Sequence, residues 1–133
     1  MKTVYFILIT FIGMQLSCTT SDVNENSENT LIGKWQLIEW YSSEGAEGTW
    51  EIIDNGYFYQ FNEDNTLESN LFNCNGSYSV EDNLEYNLLI SFNCENNQFQ
   101  GYHKIEYDGD YLLLWAEGCV VACIGKYKRF KEK

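Results

Sequence analysis

The feature that most constrains the fold is an alternation of apolar and polar residues that recurs along the chain from Leu31 onward. Its clearest run has apolar residues at Leu84, Tyr86, Leu88, Ile90 and Phe92. Successive side chains of a β-strand point to opposite faces, so this alternation is typical of strands with one buried face. No stretch beyond Leu31 sustains the spacing of an amphipathic helix. The pattern therefore predicts an all-β domain.

The alternation predicts a small closed barrel. The predicted strands cover 33–41, 57–62, 66–71, 76–81, 84–92, 98–107, 110–116 and 124–131. Among the links between them, 62–65, 82–83 and 108–110 have the Asn, Asp and Gly residues of tight turns. Eight strands joined mainly by hairpins predict an up-and-down antiparallel barrel over 31–133, because closure removes exposed edge strands. A β-sandwich made of the same strands is the alternative.

Four cysteines lie within this domain, at Cys74, Cys94, Cys119 and Cys123. An even number in an exported domain favours two disulfides, and a four-thiolate zinc site is the alternative. In a meander all four belong near one rim, beneath the long predicted loop 42–56. Cys74–Cys94 would close one hairpin and Cys119–Cys123 would close the last link. A crossed pairing such as Cys94–Cys119 stays open.

The first residues are typical of an export signal. Lys2 precedes an apolar run over 4–14, and that run of roughly a dozen residues is shorter than the about 20 that span a bilayer as a helix. The segment resembles the lipobox of bacterial lipoproteins, which implies that residues 1–17 are a signal peptide and that Cys18 receives a lipid. Plain secretion is the alternative. Residues 18–30 are polar and predict a disordered tether.

The charge balance limits the partners. The chain has 20 acidic and 8 basic side chains and a formal net charge of −12. Such a surface repels phosphate backbones and anionic headgroups, so no nucleic-acid partner is expected. Membrane contact is expected through the anchor only, in the cell envelope and at the outer membrane. The basic residues concentrate at the end of the chain, at Lys126, Lys128, Arg129, Lys131 and Lys133.

A family resemblance agrees with the predicted barrel. The first strand opens with Gly33-Lys34-Trp35, which resembles the Gly-x-Trp signature of lipocalins and related barrels. That resemblance implies that Trp35 plugs the closed end and that Arg129, from the last strand, packs across it. The whole region 31–133 resembles the short lipocalin-like domains of exported Bacteroidota lipoproteins. The matching segments are 31–37, 61–67, 76–80 and 126–129.

Aromatic residues are the remaining functional signal, at 17% of the chain. The interior of an eight-stranded barrel holds either packed side chains or one small ligand. The aromatic residues expected near the mouth are Trp50, Tyr57, Tyr59, Tyr78, Phe92, Phe99 and Trp115. They predict binding of a small apolar or amphipathic molecule, and an interaction module with a packed lumen is the alternative. His103 is the only histidine, so no enzymatic activity, metal or cofactor is expected, and no protein partner is identified.

Overall fold

The computed structural model describes residues 30–43, 47–120 and 122–130. These ranges contain β-strands and no helix. They therefore contain no helix that is long and apolar enough to cross a membrane. The strands are β1 (Gly33–Ser43), β2 (Thr49–Ile52), β3 (Phe58–Phe61), β4 (Thr66–Ser69), β5 (Gly76–Val80), β6 (Leu88–Cys94), β7 (Asn97–Asp108), β8 (Tyr111–Ala116) and β9 (Ala122–Arg129). The predicted signal peptide, Cys18 and the tether up to residue 29 lie outside the described residues.

The strands close into an antiparallel barrel, which confirms the predicted fold. From β3 to β9, each strand pairs with the next one along the chain. One edge of β1 pairs with β9, from Trp35 opposite Arg129 to Ser43 opposite Ala122. The start of β1 also pairs with β3, where Gly33 lies opposite Phe61. The wall therefore consists of eight strands, and β2 is an addition to it.

The predicted long loop 42–56 is wrong in part, because it contains β2. Thr49–Ile52 pairs with the second half of β1, so that Trp50 lies beside Tyr41. All four β2 residues are exposed. A strand of four residues that buries no face gives almost no alternation signal, which explains why the sequence pattern missed it.

The predicted tight turn at 82–83 is also wrong. The strand predicted from residue 84 begins only at Leu88, and 81–87 forms a wide loop. Two backbone hydrogen bonds close this loop, from the Glu81 amide to the Asn87 carbonyl at 2.8 Å and from the Leu84 amide to the Glu81 carbonyl at 3.3 Å. Leu84 is 50% exposed. A tight link occurs instead at 95–96, where Cys94 lies opposite Asn97.

The chain links alternate between the two ends of the barrel. One end, which we call the Trp35 end, holds the start of β1 and the links 62–65, 81–87 and 109–110. The other, which we call the cysteine end, holds the links 70–75 and 95–96 and the link from β8 to β9. Cys74, Cys94, Cys119 and Cys123 all lie at this second end, as the meander predicts.

The barrel interior is filled by apolar side chains. The residues exposed by 7% or less that form this core are Trp35, Leu37, Tyr59, Phe61, Leu67, Tyr78, Leu88, Ile90, Phe92, Cys94, Leu112, Leu114 and Tyr127. Glycines make room for two of the rings. A Cβ added at Gly125 would lie 2.6 Å from the Tyr127 ring, and one added at Gly76 would lie 2.7 Å from the Phe92 ring. Large rings therefore lie flat against the wall of the barrel.

Candidate functional site

The Trp35 end is sealed by Trp35 and Arg129. Trp35 is 2% exposed, and its indole Nε1 donates to the Leu31 carbonyl at 2.8 Å. The guanidinium carbon of Arg129 lies 4.2 Å from the centroid of the Trp35 ring. Arg129 also donates to the carbonyls of Ile32 at 2.7 Å and Thr30 at 2.6 Å. This is the contact that the resemblance implies, and it covers the Trp35 ring at this end of the barrel.

Three tyrosines form a polar layer inside the barrel. The hydroxyls of Tyr57 and Tyr127 are hydrogen-bonded at 2.7 Å, and the Tyr59 ring lies 5.3 Å from Tyr57 and 6.0 Å from Tyr127. Burial raises the pKa of all three phenols above the ordinary value of 10.0. They are therefore protonated at neutral pH and serve as hydrogen-bonding groups.

Above this layer, three phenylalanines stack at the cysteine end. The rings of Phe72 and Phe92 are 3.9 Å apart at an angle of 10°, and Phe99 lies 5.9 Å from Phe72. Phe92 is 1% exposed, whereas Phe99 is 36% exposed and Phe72 is half-buried. The stack therefore extends from the core to the surface.

The Cys74–Cys94 disulfide fixes this stack. Phe72 lies two residues before Cys74, in the link between β4 and β5, and Phe92 lies two residues before Cys94, on β6. Because the disulfide joins the link to the end of β6, it holds the two rings face to face. Cys119–Cys123 closes the link between β8 and β9 at the same end. Both predicted disulfides are confirmed.

A pocket lies on the outer face of the β6–β7 hairpin, on the opposite side of the strands from the phenylalanine stack. Its volume is about 370 Å³, and its lining combines two rings with polar side chains. The lining residues are Ser91, Phe92, Asn93, Gln98, Phe99 and Gln100. Small-molecule sites in proteins occupy volumes of this order. Ser91, Asn93, Gln98 and Gln100 alternate with Phe92 and Phe99 along the paired strands, so the four polar side chains lie on the outer face of the hairpin and the two rings lie on the inner face.

Comparison with known families agrees with this geometry. The family model described as a lipocalin-like domain matches residues 31–114. The chain belongs to the lipocalin-like domain family. The match ends within β8, and β9, which follows it, completes the barrel by pairing with β1. No curated protein and no solved structure matches the chain.

Lipocalin-like domains are generally non-enzymatic binding folds, and the barrel described above has the fold of that family. The predicted ligand-binding residues of this domain fall into separate groups. Tyr57, Tyr59, Phe92 and Phe99 lie in the tyrosine layer and the phenylalanine stack.

Tyr78 lies nearer the Trp35 end. Its ring contacts Phe61 edge-on at 5.0 Å, and its hydroxyl donates to the Asn62 carbonyl at 2.7 Å.

Trp50 and Trp115 lie outside the barrel of the lipocalin-like domain. On β8 the buried residues Leu112 and Leu114 point inward, so Trp115 points outward, where its Nε1 donates to Glu106 at 2.8 Å. Trp50 lies on β2 with its ring 5.3 Å from Tyr41. Neither tryptophan contacts the phenylalanine stack among the described residues.

Two residues that line the site escaped the sequence analysis. Phe72 lies in a link without alternation, and only its position two residues before Cys74 could have indicated it. Tyr127 lies on the last strand, two residues before Arg129. The resemblance implies that Arg129 faces inward, and alternate residues of a strand share a face, so Tyr127 could have been placed on the inner face as well.

His103 points into the lipocalin-like barrel from β7 and is half-buried. Its Nδ1 is buried and has no hydrogen-bond partner within the described ranges. Burial lowers the pKa of the imidazole from its ordinary value of 6.5, and the Gly101 backbone opposes this shift. The described residues contain no group of three or more His, Cys, Asp or Glu side chains able to hold a metal.

Proposed function

We propose that this protein is a lipid-anchored lipocalin-like protein of the cell envelope that binds a small apolar or amphipathic molecule at the cysteine end. The observation that carries the proposal is the stack of Phe72, Phe92 and Phe99, which reaches the surface where Phe99 is 36% exposed; a pocket of about 370 Å³ lies on the other face of the same hairpin. The stack provides exposed aromatic surface, and aromatic faces bind apolar groups through area and ring contacts.

The polar part of the pocket supports an amphipathic ligand. Asn93, Gln98 and Gln100 line it with amide groups that both donate and accept hydrogen bonds. The described residues that line it are uncharged, so a ligand with a neutral polar head fits better than an ion. The tyrosine layer beneath the stack is neutral as well, because burial raises the pKa of its phenols.

The anchor part of the proposal rests on Cys18 and on the apolar run before it. An acyl chain contributes about 0.8 kcal/mol per buried CH₂, so more than one chain gives stable attachment. Mass spectrometry of the protein purified from its own host tests this directly. Acyl mass on an N-terminal Cys18 supports the anchor, and a free thiol there contradicts it.

The alternative is a non-enzymatic interaction module, and the packing of the interior favours it. The core residues are at most 7% exposed, and the Tyr127 and Phe92 rings occupy the space that Gly125 and Gly76 leave. A deep ligand of the kind that fills a wide barrel has no room between these rings. Any ligand therefore binds near the rim, against the stack.

A fluorescence titration with N-phenylnaphthylamine, an apolar probe, separates the two functions. We expect saturable binding to the wild-type chain and a Kd about threefold to tenfold higher for Phe72→Ala, since an aromatic contact contributes about 0.5–1.5 kcal/mol. Phe130→Ala is the matched control, because Phe130 is 50% exposed at the other end of the barrel. Equal affinities for the two variants, or no saturable binding, would favour the interaction module.

Native mass spectrometry of the protein from its own host complements the titration. A co-purifying small molecule that is lost from Phe72→Ala and kept by Phe130→Ala supports binding at the stack.

A further inference from the structure

A second apolar cluster lies on the outside of the barrel. Across β2, β1, β9 and β8, the residues Trp50, Tyr41, Ile124 and Trp115 lie side by side. Ile124 is only 5% exposed although its side chain points away from the core, because these neighbours cover it from outside. Trp50 is 45% exposed, and Ile52 beside it is 81% exposed.

Lysine side chains lie among these rings. The Lys126 ammonium lies 4.6 Å from the Tyr111 ring centroid and 5.9 Å from that of Trp50. The Lys104 ammonium lies 5.6 Å from the Trp115 ring. Each of the two lysines also faces one carboxylate, Lys104 at 2.9 Å from Glu106 and Lys126 at 3.8 Å from Glu39. We call this surface the outer aromatic face; its residues are Tyr41, Trp50, Ile52, Lys104, Tyr111, Leu113, Trp115, Ile124, Lys126 and Lys128.

The outer aromatic face differs in charge from the rest of the domain. Three of the cations in the described ranges, Lys104, Lys126 and Lys128, lie on it. Acidic residues concentrate instead in the links at the ends, at Glu63, Asp64, Glu81, Asp82, Glu85, Glu95, Asp110 and Glu117. The net charge of −12 is therefore distributed unevenly over the surface. Glu106 and Glu39 pair with Lys104 and Lys126 on this face, so an anionic surface would meet a face that is less acidic than the ends, with Lys128 exposed on it.

We propose that the outer aromatic face docks onto the headgroup region of the bilayer that carries the Cys18 anchor. Trp and Tyr rings concentrate at membrane interfaces, because one part of each ring is apolar and the other forms hydrogen bonds. Lysine stems lie along apolar surface while the ammonium reaches the phosphates, and each lysine near an anionic bilayer strengthens binding. The combination of rings and lysines on the outer aromatic face matches that interface.

The position of the N-terminal segment agrees with docking onto the bilayer. Thr30, where the described domain begins, is held by Arg129 at the end of β9, a strand that crosses the outer aromatic face. The thirteen residues from Cys18 to Thr30 span at most about 40 Å, so the anchor keeps the domain close to the bilayer. The inference rests on the proposed anchor, and it adds a second membrane contact to the one that the sequence predicts.

Tethered vesicles test the docking independently of natural lipidation. Cys18 is the one cysteine outside the two disulfide pairs, so the chain from Cys18 onward couples through a single thiol to a maleimide lipid. The vesicles contain phosphatidylethanolamine and phosphatidylglycerol, with acyl chains brominated close to the headgroup. We expect bromine to quench tryptophan emission, and we expect the Trp50→Phe/Trp115→Phe variant to lose most of this quenching. Trp40→Phe is the control, since Trp40 packs against the core.

A charge variant tests the same surface without a tether. In the Cys18→Ser chain, Lys128→Gln should weaken partition into these vesicles about fivefold, the effect of one lysine near an anionic surface. Lys34→Gln, which removes a lysine near Phe58 and Phe130, should not. Circular dichroism verifies that every variant is folded.

Quenching that is equal in Trp50→Phe/Trp115→Phe and Trp40→Phe, or absent from the tethered wild type, would overturn the docking. Neither result bears on ligand binding, which Phe72→Ala tests, or on lipidation, which the mass of the host protein tests.

Discussion

The two ends of the barrel are closed by different means. At the Trp35 end, one ring is 2% exposed beneath a guanidinium at 4.2 Å, and the chain there is held by hydrogen bonds to three carbonyls. At the cysteine end, the links are joined by two disulfides, while Val120 is fully exposed and Leu71 is 49% exposed. Both ends leave some apolar side chains exposed, since Leu84 and Phe130 at the Trp35 end are each 50% exposed. Among the described residues, the Trp35 end closes over a buried ring without a disulfide, whereas the cysteine end carries both disulfides.

This difference explains where the site lies. A ring that is completely covered, as Trp35 is, offers no surface to a ligand. Phe72 and Phe99 keep part of their surface exposed, and the Cys74–Cys94 disulfide replaces the stabilisation that fuller burial would provide. At the cysteine end, therefore, the disulfide supplies stability while the partly exposed rings provide the binding surface.

Trp35→Ala should have the largest effect on stability. It removes a fully buried ring and leaves Arg129 without the surface that it covers, so the free energy of unfolding should fall by about 3–5 kcal/mol. Urea denaturation measures the change. Trp50→Ala is the comparison, because Trp50 is 45% exposed. A loss as large for Trp50 as for Trp35 would show that the Trp35 end does not dominate stability.

Removing Cys74–Cys94 should have the next largest effect. The disulfide closes a separation of 20 residues, so Cys74→Ser/Cys94→Ser should lower the free energy of unfolding by about 3 kcal/mol. The near-ultraviolet circular dichroism should also weaken, because Phe72 is then no longer held against Phe92. An unchanged aromatic spectrum would mean that the stack forms without the disulfide.

Removing Cys119–Cys123 should cost less. This disulfide closes a separation of only 4 residues, and the same chain-entropy relation gives about 2 kcal/mol for Cys119→Ser/Cys123→Ser. The spectrum of the phenylalanine stack should not change. If this variant loses more stability than the Cys74/Cys94 variant, loop length does not control the contribution of the disulfides.

The smallest effect concerns the phenol layer. Burial raises the pKa of Tyr57 in the folded state above 10.0, its ordinary value, so the folded state disfavours ionisation. The stabilisation is complete below about pH 10 and is lost as pH rises through the raised pKa. Tyr57→Phe should cost about 1 kcal/mol at neutral pH through loss of the hydrogen bond to Tyr127. Above pH 10 its stability should fall less steeply than that of the wild type, measured by denaturation at a series of pH values.

The closed barrel and the order of its eight wall strands follow from the sequence, because alternation and turn residues depend on local chemistry. The sequence also predicts two disulfides, but it left a crossed pairing such as Cys94–Cys119 open, and the structure decides for Cys74–Cys94 and Cys119–Cys123. The same pattern fails at 84–87, where Leu84 and Tyr86 continue the alternation although the chain has left the ladder. Alternation indicates which residues share a face of a strand, but it does not indicate where the hydrogen-bonded pairing with the adjacent strand ends. Pairing depends on the partner strand, and Val80, the last residue of β5, lies opposite Leu88.

The positions of the tryptophans show a second limit. On β8 both faces are apolar, with Tyr111, Leu113 and Trp115 on one side and Leu112 and Leu114 on the other. The prediction placed the aromatic face inward, whereas the structure buries the aliphatic face. On the inner wall, Leu112 lies between Tyr107 of β7 and Tyr127 of β9, so the aromatic side chains at that point come from the neighbouring strands.

The contact between Gly33 and Arg129 links the two ends of the domain sequence. Gly33 has φ 125°, and a Cβ added there would lie 2.6 Å from a guanidinium nitrogen of Arg129. Any other residue at 33 would be strained and would displace the arginine. Among relatives of this chain, positions 33 and 129 should therefore covary, so that a side chain at 33 occurs together with a smaller residue at 129.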